Sequence, residues 1–496
     1  MSYPVLTLVC CIIAGLRVFI FSAALPFFNP IDEPEHYDMV LKYASGNIPR
    51  RIETLEPETV LAVSRFGSWE YMRAPSFFGG SIPPQPFWTL PQEKREAAMK
   101  ARGSSFQGMA NRYSTQPPAY YAIAAGWMRI GSAWGLSGGR LLYWIRFMNI
   151  IPGVLVVLLG ALLAGIIFPK DRAVGIGTPM LLAVFPQDVQ YAINSDGLSA
   201  VLMGGMFLLL TSQRWKNSPI STGLLAGFLG MLAALSKQSN IPILAGMIIA
   251  ALILAVKSRN RATRKTLTAI GLAAAIAGIG IAGWSAKSLL DAGDPTGMQA
   301  KWQASGWSIK PLTQIPFHPV FSVSGAWFFA DKLIRTFWRG DTVWHGAFLA
   351  APDADLFYVG TTLLFLAVLL FSYWLRRNTP ASGREHAVLQ IGASGLAGGI
   401  LFLGAVSVMF DFGNSVYPSA ELPYLFSGRL ISGAIIPFVL LYLRGMGASI
   451  SLLPKKLRAR IDPAWCTAIT CLYIMLSEIR ASLGAFSSGY NWFHLP

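Results

Sequence analysis

The chain has 496 residues, 53% of them hydrophobic and only 13% charged. Soluble globular chains carry about 25% charged residues, so the composition excludes both a soluble enzyme and a disordered chain. The net charge of +16 sits in short runs between apolar segments, with no basic face of interleaved aromatics; it marks cytoplasmic loops of a helical membrane protein, and nucleic acid is excluded as a partner.

In chain order, the first apolar segment covers 5–28. It lacks a basic leader region and holds Arg17, so it reads as an uncleaved span. The polar stretch 25–116 follows, with ten acids and ten bases, breaks at Pro83, Pro84 and Pro86, and a helix predicted from Gln92 to Arg102. Its balanced charge places it outside the cytoplasm. Further apolar segments lie at 118–136, 143–168, 173–190, 196–212, 219–236, 240–256, 266–290, 356–375, 387–410, 428–446 and 464–484. Basic runs separate them at Lys170/Arg172, Arg214/Lys216, Lys257 to Lys265, Arg376/Arg377/Arg384 and Arg444 to Arg460, seventeen Lys and Arg in all. Strict alternation puts every run in the cytoplasm and leaves loops 186–196, 291–355 and 411–427 outside. Segment 118–136 then has outer flanks on both sides, so it is expected to be re-entrant or paired with a short helix of the first loop.

The expected fold class is therefore all-α: a polytopic helical membrane protein of about eleven transmembrane helices (nine to thirteen), each span needing ~20 residues, with large extracytoplasmic loops. Three regions follow. Residues 1–290 form an N-terminal transmembrane catalytic module that includes loop 25–116. Residues 291–355 form an external loop with Trp302, Trp307, Trp327, Trp338 and Trp344, and 356–496 are the C-terminal transmembrane helices. The expected location is the inner (cytoplasmic) membrane, with the site facing the periplasm or exterior. The cysteines (Cys10, Cys11, Cys466, Cys471) lie in apolar segments and form no CxxC pair, and the five histidines are scattered, so no zinc motif is encoded locally.

The most informative stretch is Asn29-Pro30-Ile31-Asp32-Glu33-Pro34-Glu35-His36-Tyr37-Asp38, directly after the first span. Pro34 suits the first turn of a helix, with Glu33 or Asp32 as cap, and a carboxylate there is held ionised by exposed N–H groups. Asp32 and His36, four apart, share a helical face. Taken alone, this is a well-capped interfacial helix. Likewise, interfacial belting accounts for the tandem tyrosines of Gln116-Pro117-Pro118-Ala119-Tyr120-Tyr121, and snorkelling for Arg429. The link 185–197 carries more polar groups than a turn requires, among them Asp188, Asn194 and Asp196, and Lys237 lies at an outer membrane edge. Ionisable groups clustered on one face of a membrane are costly and point to function. External cations, a carboxylate and aromatics together suit an anionic lipid-linked substrate: cations hold the phosphate, aromatics cover isoprenoid or sugar, and the carboxylate deprotonates an acceptor hydroxyl.

At this point the chain resembles the glycosyltransferase-C superfamily, closest to its bacterial members with an Asp-Glu-Pro-x-His motif. The resemblance rests on Asp32-Glu33-Pro34-Glu35-His36, the Gln116–Tyr121 motif, Ile193-Asn194-Ser195-Asp196-Gly197-Leu198, Leu235-Ser236-Lys237, Phe337-Trp338-Arg339-Gly340 and Phe426-Ser427-Gly428-Arg429-Leu430. The last motif often reads Gly-Arg-Tyr in such proteins; Leu430 replaces the tyrosine here. The resemblance implies an acidic residue of the first external loop as the catalytic carboxylate, carried onto Asp32 with Glu33 beside it, and a donor of the decaprenyl- or undecaprenyl-phosphate type; it names neither sugar nor acceptor. The expected activity is an inverting transfer to an acceptor glycan, lipid or protein with Asp32 as general base; Asp32, Glu33 and His36 are the candidate catalytic residues, and Gln116, Tyr120, Tyr121, Asn194, Asp196, Lys237, Trp338, Arg339 and Arg429 the candidate substrate-binding residues. The sequence sets no cofactor requirement; a divalent cation, Mg or Mn, on Asp32, Asp188 and Asp196 is the one candidate. Competing readings are a transporter or flippase of lipid-linked saccharides, for which internal repeats are expected and none is seen, and a polymerase or ligase of such saccharides.

Overall fold

The apolar runs become helices because a backbone in hydrocarbon must satisfy its own polar groups. The computed structural model describes all residues except 1, 30–31, 72, 74, 79–82, 259–262, 376–382 and 414–417. Arg259, Arg261, Arg376 and Arg377 of the basic runs therefore lie outside the described residues.

Helix α1 (Tyr3–Ala24) leads into an excursion built of α2 (Glu33–Ser45), α3 (Pro57–Phe66), α4 (Gln92–Gly103), α5 (Ala119–Ala133) and α6 (Gly138–Phe147). A bundle follows: α7 (Ile150–Ile167), α8 (Arg172–Ala183), α9 (Ser199–Thr211), α10 (Pro219–Ser236), α11 (Asn240–Ser258) and α12 (Thr263–Ala292). After α13 (Gln299–Ala304) and α14 (Val323–Arg339) come α15 (Pro352–Leu375), α16 (Gly383–Met409), α17 (Ile435–Ser451), α18 (Lys455–Arg458) and α19 (Pro463–Phe486). Strand structure among the described residues is limited to two-residue antiparallel ribbons: Glu53–Thr54 with Ala110–Asn111, Ser308–Ile309 with Phe410–Asp411, and Val343–Trp344 with Ala347–Phe348.

Nine helices among the described residues are long and apolar enough to cross a bilayer. The shorter α8 and α9, largely buried in the bundle, bring the number of helices that alternate between its two ends to eleven. One end collects the basic links: Arg444 pairs with Asp171, Arg172 lies 3.7 Å from Asp462, and Lys265 donates to the Lys216 carbonyl at 2.9 Å. The other end holds the excursion after α1 and the links after α8, α10, α12 and α16.

Segment 118–136 settles on that second end as part of a hairpin. Its helix α5 has 15 residues, ~22 Å at ~1.5 Å per residue, which falls short of a ~30 Å core. It pairs with α6 instead: Trp127 and Trp144 stack at 4.4 Å, and each indole N–H donates to the other's carbonyl at 2.8 Å. Gly131 makes this approach feasible, since a Cβ there would lie 2.3 Å from the Trp144 ring.

The central element is the span Gly428–Ser451, 83% of whose most apolar window is buried inside the protein. It opens with a tight 3-10 turn, Gly428–Ala434, kinked at Ile431. A Cβ on Gly428 would sit 2.1 Å from the Phe337 amide nitrogen, so glycine is needed where this turn crosses α14. Near the same end, Arg17 of α1 and Glu478 of α19 form a buried ion pair at 3.1 Å, with the Tyr191 hydroxyl 2.7 Å from Arg17.

In a cysteine-free background, single cysteines at the exposed positions Ser45, Gln303 and Glu421 are expected to react alike with an impermeant thiol reagent in whole cells. Those at Gln213 and Ser451 should react only after permeabilisation. Labelling that splits either group would break the two-ended arrangement.

Candidate active site

Asp32 starts α2 in a left-handed conformation, φ 62°, which few residues other than glycine adopt and which Asp tolerates. Its carbonyl accepts from the His36 amide at 3.0 Å, but its side chain makes no cap bond. The carboxylate turns instead to three donors: the Tyr113 hydroxyl at 2.5 Å, Arg112 at 3.2 Å and Arg429 at 3.3 Å. Burial by itself would raise its pKa. Arg429, Lys301 and Arg112, with the Tyr113 hydroxyl, outweigh that and hold it well below the usual carboxylate range. Asp32 is thus an anion, with about a fifth of its side chain (19%) exposed.

Its neighbour Glu33 has a different task. Glu33 is completely buried, receives both arms of the Arg146 guanidinium at 2.7 Å, and accepts from the Asn29 and Ile193 amides at 2.9 Å each. Arg146 also donates to the carbonyls of Ser22, Leu25 and Pro26, at 3.2, 2.5 and 2.7 Å. The pair ties the end of α1, the start of α2, helix α6 and the 186–196 link together. Expected among the catalytic residues, Glu33 instead has every acceptor position used and no exposure, so its carboxylate is committed to holding these elements together.

His36 is likewise corrected. It is fully buried behind Tyr113, ring centroids 4.1 Å apart, with Nδ1 2.8 Å from the Tyr121 hydroxyl. Burial, then nearby Lys237, depresses its pKa well below the ordinary value and keeps it neutral. Tyr120, Tyr121 and Gln116 are buried too, Gln116 against Met298, so these three form the wall behind the site rather than its exposed lining.

Arg429 is the hub. Its guanidinium reaches Asp32 at 3.3 Å, Asp196 at 3.1 Å and Asp341 at 3.5 Å. Asp196 also pairs with Lys237 at 3.1 Å. Asn194 shapes this corner, accepting from the Asp196 and Gly197 amides at 2.9 and 3.2 Å and donating to the Val189 carbonyl at 3.0 Å; it is a loop former with its side chain committed, not a substrate contact. Asp341 is delivered by a turn at Gly340, φ 83°, where a Cβ would overlap the Asp188 carboxylate at 1.9 Å. Asp188 accepts from the Asp341 and Thr342 amides at 3.0 and 2.8 Å; burial, with Asp341 alongside, pushes it up to about 7.

Two expected substrate ligands fall elsewhere. Trp338 is fully buried, stacked between Phe185 and Tyr358 at 4.8 and 4.9 Å, with its N–H on Thr362 at 2.9 Å; it is core. Arg339 points away from Asp32 and pairs with Asp355 at 2.8 Å. The three acids offered to a divalent cation are each engaged by the protein's own donors. Asp32 and Asp196 are bridged by Arg429, Asp188 is bound to backbone amides, and among the described residues no three His, Cys, Asp or Glu side chains form a metal cluster.

Five participants were not singled out from sequence. Glu35 grips Arg112 with both oxygens, at 2.8 and 3.0 Å. Arg112 and Tyr113 lie just before the Gln116 motif, and Asp341 directly follows Gly340, so proximity to the motifs was an available signal. Lys301 had none. A strap carries it in: the Asp294 carboxylate accepts the amides of Thr296, Met298 and Gln299, Thr115 donates to the Gly297 carbonyl at 2.6 Å, and Gln238 to the Thr296 carbonyl at 2.6 Å. The Lys301 ammonium then lies 3.7 Å from the Tyr113 ring centroid, with Lys237 at 5.8 Å from the same ring. Among the described residues it makes no ion pair, unlike Arg112, Lys237 and Arg429. Burial pushes its pKa down to about 7; Lys237 adds to this and Asp32 opposes it.

Fold and site together define a polytopic helical membrane protein with a charged site at one end of its bundle. Residues 16–388 match the family described as "Predicted membrane protein (DUF2142)", and the chain belongs to that family. No curated protein matches. Among solved structures the chain is similar to the oligosaccharyltransferase of Archaeoglobus fulgidus in the apo form, at 15% identity and TM-score 0.45 over 97% of this chain and 56% of that one. It is also similar to the archaeal oligosaccharyltransferase of Archaeoglobus fulgidus in complex with an inhibitory peptide and a dolichol-phosphate, at 14% identity and TM-score 0.41 over 98% and 56%. The chain spans about half the length of the solved chains it matches.

Replacing Glu33 by Gln leaves Arg146 charged, buried and unpaired, an arrangement that costs ~3–5 kcal/mol. Thermal unfolding in detergent should show a marked loss of stability for Glu33→Gln and little change for Asp32→Asn. Equal stability of the two would refute the positioning role of Glu33.

Proposed function

We propose that the protein is an integral-membrane glycosyltransferase that moves a sugar from a polyprenyl-phosphate donor to an acceptor glycan, lipid or protein on the extracytoplasmic face. The observation that supports this most is the ionised Asp32 set among Arg112, Lys237, Lys301 and Arg429 at one end of the helices, opposite the basic links. The positive-inside rule puts the basic end in the cytoplasm and Asp32 outside.

In this reading the acceptor hydroxyl gives its proton to an Asp32 carboxylate oxygen as its oxygen attacks the anomeric carbon. The bond from that carbon to the phosphate oxygen breaks on the opposite face, its electron pair leaving with the polyprenyl phosphate, so the configuration inverts. The departing phosphate needs cations that are not already neutralised. Among the described residues of the site Lys301 is the cation without an ion pair, with Lys237 and Arg429 adjoining. Because the pocket is partly desolvated, fixed charges act there more strongly than in water. Glu33 and Arg146 hold Asp32 in place, and Glu35 holds Arg112.

Purified protein in lipid should consume a labelled polyprenyl-phosphate sugar in the presence of acceptor. Asp32→Asn should lower turnover by roughly 10²–10⁴-fold, the usual contribution of a general base, without loss of folding. Near-normal turnover of that variant would end the general-base assignment.

Lys301 supplies a pH test. A phosphodiester donor carries its charge throughout neutral pH; Lys301 and Asp188, behind the Asp341 turn, are the site groups that titrate there, and the Lys301 variants isolate the lysine's part. Phosphate favours the ammonium; donor binding should therefore be strong below pH about 7 and weaken by up to tenfold per unit above it. Lys301→Arg should flatten the profile and retain binding at pH 9. Lys301→Met should raise the donor KM roughly 10- to 100-fold below pH 7, as expected for loss of one charge-assisted contact. An unchanged profile in both variants would remove Lys301 from the donor site.

A further inference from the structure

The segment 308–327, which runs from the first residue of the Ser308–Ile309 strand into the first turns of α14, displays Ile309, Leu312, Phe317, Phe321, Val323 and Trp327 to the surroundings. Leu312, Phe317 and Val323 are 82%, 85% and 90% exposed. The same residues include one base, Lys310, and no acid. Single exposed apolar side chains are ordinary, but a contiguous group of this kind marks an interaction surface.

The display is built into the fold. His318 is buried and pins the finger at both ring nitrogens: Nε2 donates to the Pro423 carbonyl at 2.9 Å, and Nδ1 accepts the Val320 amide at 3.1 Å. Ser322 caps α14 by accepting the Gly325 amide at 3.0 Å, and a Cβ on Gly325 would lie 1.9 Å from the Pro319 carbonyl oxygen. On the inner side Val320 and Phe328 pack on the main core. A rigid scaffold therefore turns six large apolar side chains outward.

Its position indicates what covers it. Ser308 and Ile309 pair with Asp411 and Phe410, and the Lys310 amide donates to the Met409 carbonyl, the last residue of α16, at 2.8 Å. The finger thus begins at the end of a spanning helix whose Leu401 and Met409 are 72% and 44% exposed in the apolar belt. We propose that 308–327 is an in-plane membrane anchor, its aromatic and aliphatic side chains embedded at the headgroup–acyl boundary of the leaflet on the Asp32 side. Phe and Trp on one side of a backbone without acids have the composition of an interfacial element. The anchor joins the lipid surface to both ends of the site: Lys301 lies seven residues before it, and α14 runs from it to Gly340 and Asp341. It does not depend on any transfer chemistry.

The protein, freed of its native cysteines, is placed in phosphatidylcholine–phosphatidylglycerol nanodiscs with a nitroxide at Phe317→Cys, Val323→Cys or, as a polar reference, Gln303→Cys. Collisions with oxygen should exceed those with a water-soluble nickel chelate at the first two sites, and the order should reverse at the third. The unmodified protein, irradiated with a diazirine-bearing phospholipid, should acquire label on the 308–327 peptide. Nickel-accessible labels at Phe317 and Val323 would overturn the anchor. Shielding from both reagents would also overturn it, because a protein surface would then cover the finger, and so would the absence of lipid label from that peptide.

Discussion

One guanidinium organises the site end of this bundle. Arg429 is mostly buried and shared by Asp32, Asp196 and Asp341, which come from the excursion after α1, the link after α8 and the turn after α14. A buried arginine stripped of partners costs several kcal/mol, so the three carboxylates and their backbones must converge if the central span is to enter the bundle as it does. The reverse also holds. Three acids this close would repel one another without a cation among them, and the guanidinium supplies that charge.

Everything that fixes Arg429 is itself tightly constrained. Gly428 presses on the α14 backbone, and Gly340 makes room for the Asp188 carboxylate that anchors the amides of Asp341 and Thr342. Asn194 folds the link that presents Asp196. The Glu33–Arg146 pair plays the same part for Asp32, with each atom saturated, so that Asp32 can hold a left-handed backbone while its carboxylate stays partly open. The division of labour between adjacent acids follows from environment: one is a neutralised strut, the other an anion in a field of cations.

The strap bearing Lys301 differs from these elements. Hydrogen bonds to its backbone carbonyls tie it to Thr115 and Gln238, and its cation and the Lys237 ammonium both lie near the Tyr113 ring. An ammonium held near like charge in a partly desolvated pocket has a lowered pKa, and an anion brought between the two would relieve both burial and repulsion. The surrounding loop reaches the lipid surface through the apolar finger, so membrane, strap and Asp341 turn are mechanically continuous.

Sequence alone determined the helical membrane class and the two-sided distribution of charge, and it picked out Asp32, Asp196, Lys237 and Arg429, which the fold brings together. These follow from hydrocarbon thickness, from the cost of charge in lipid and from motif spacing, all local in the chain. It set Glu33 beside Asp32 but could not show what Glu33 holds, because two adjacent acids at a helix start look alike until Arg146, more than a hundred residues away, claims one of them. Nor did it separate Arg429 from Arg339, since both lie in short motifs that carry an aromatic residue and only the tertiary structure sends one to Asp32 and the other to Asp355. Trp338 was read as a ligand for the same reason, although its ring fills a slot between Phe185 and Tyr358. Lys301 has no motif at all; its place depends on a strap whose partners lie at 115 and 238. Chemistry-bearing residue types are visible locally, but which of them are consumed as struts is decided by partners distant in sequence, because a buried charge takes its role from whatever neutralises it.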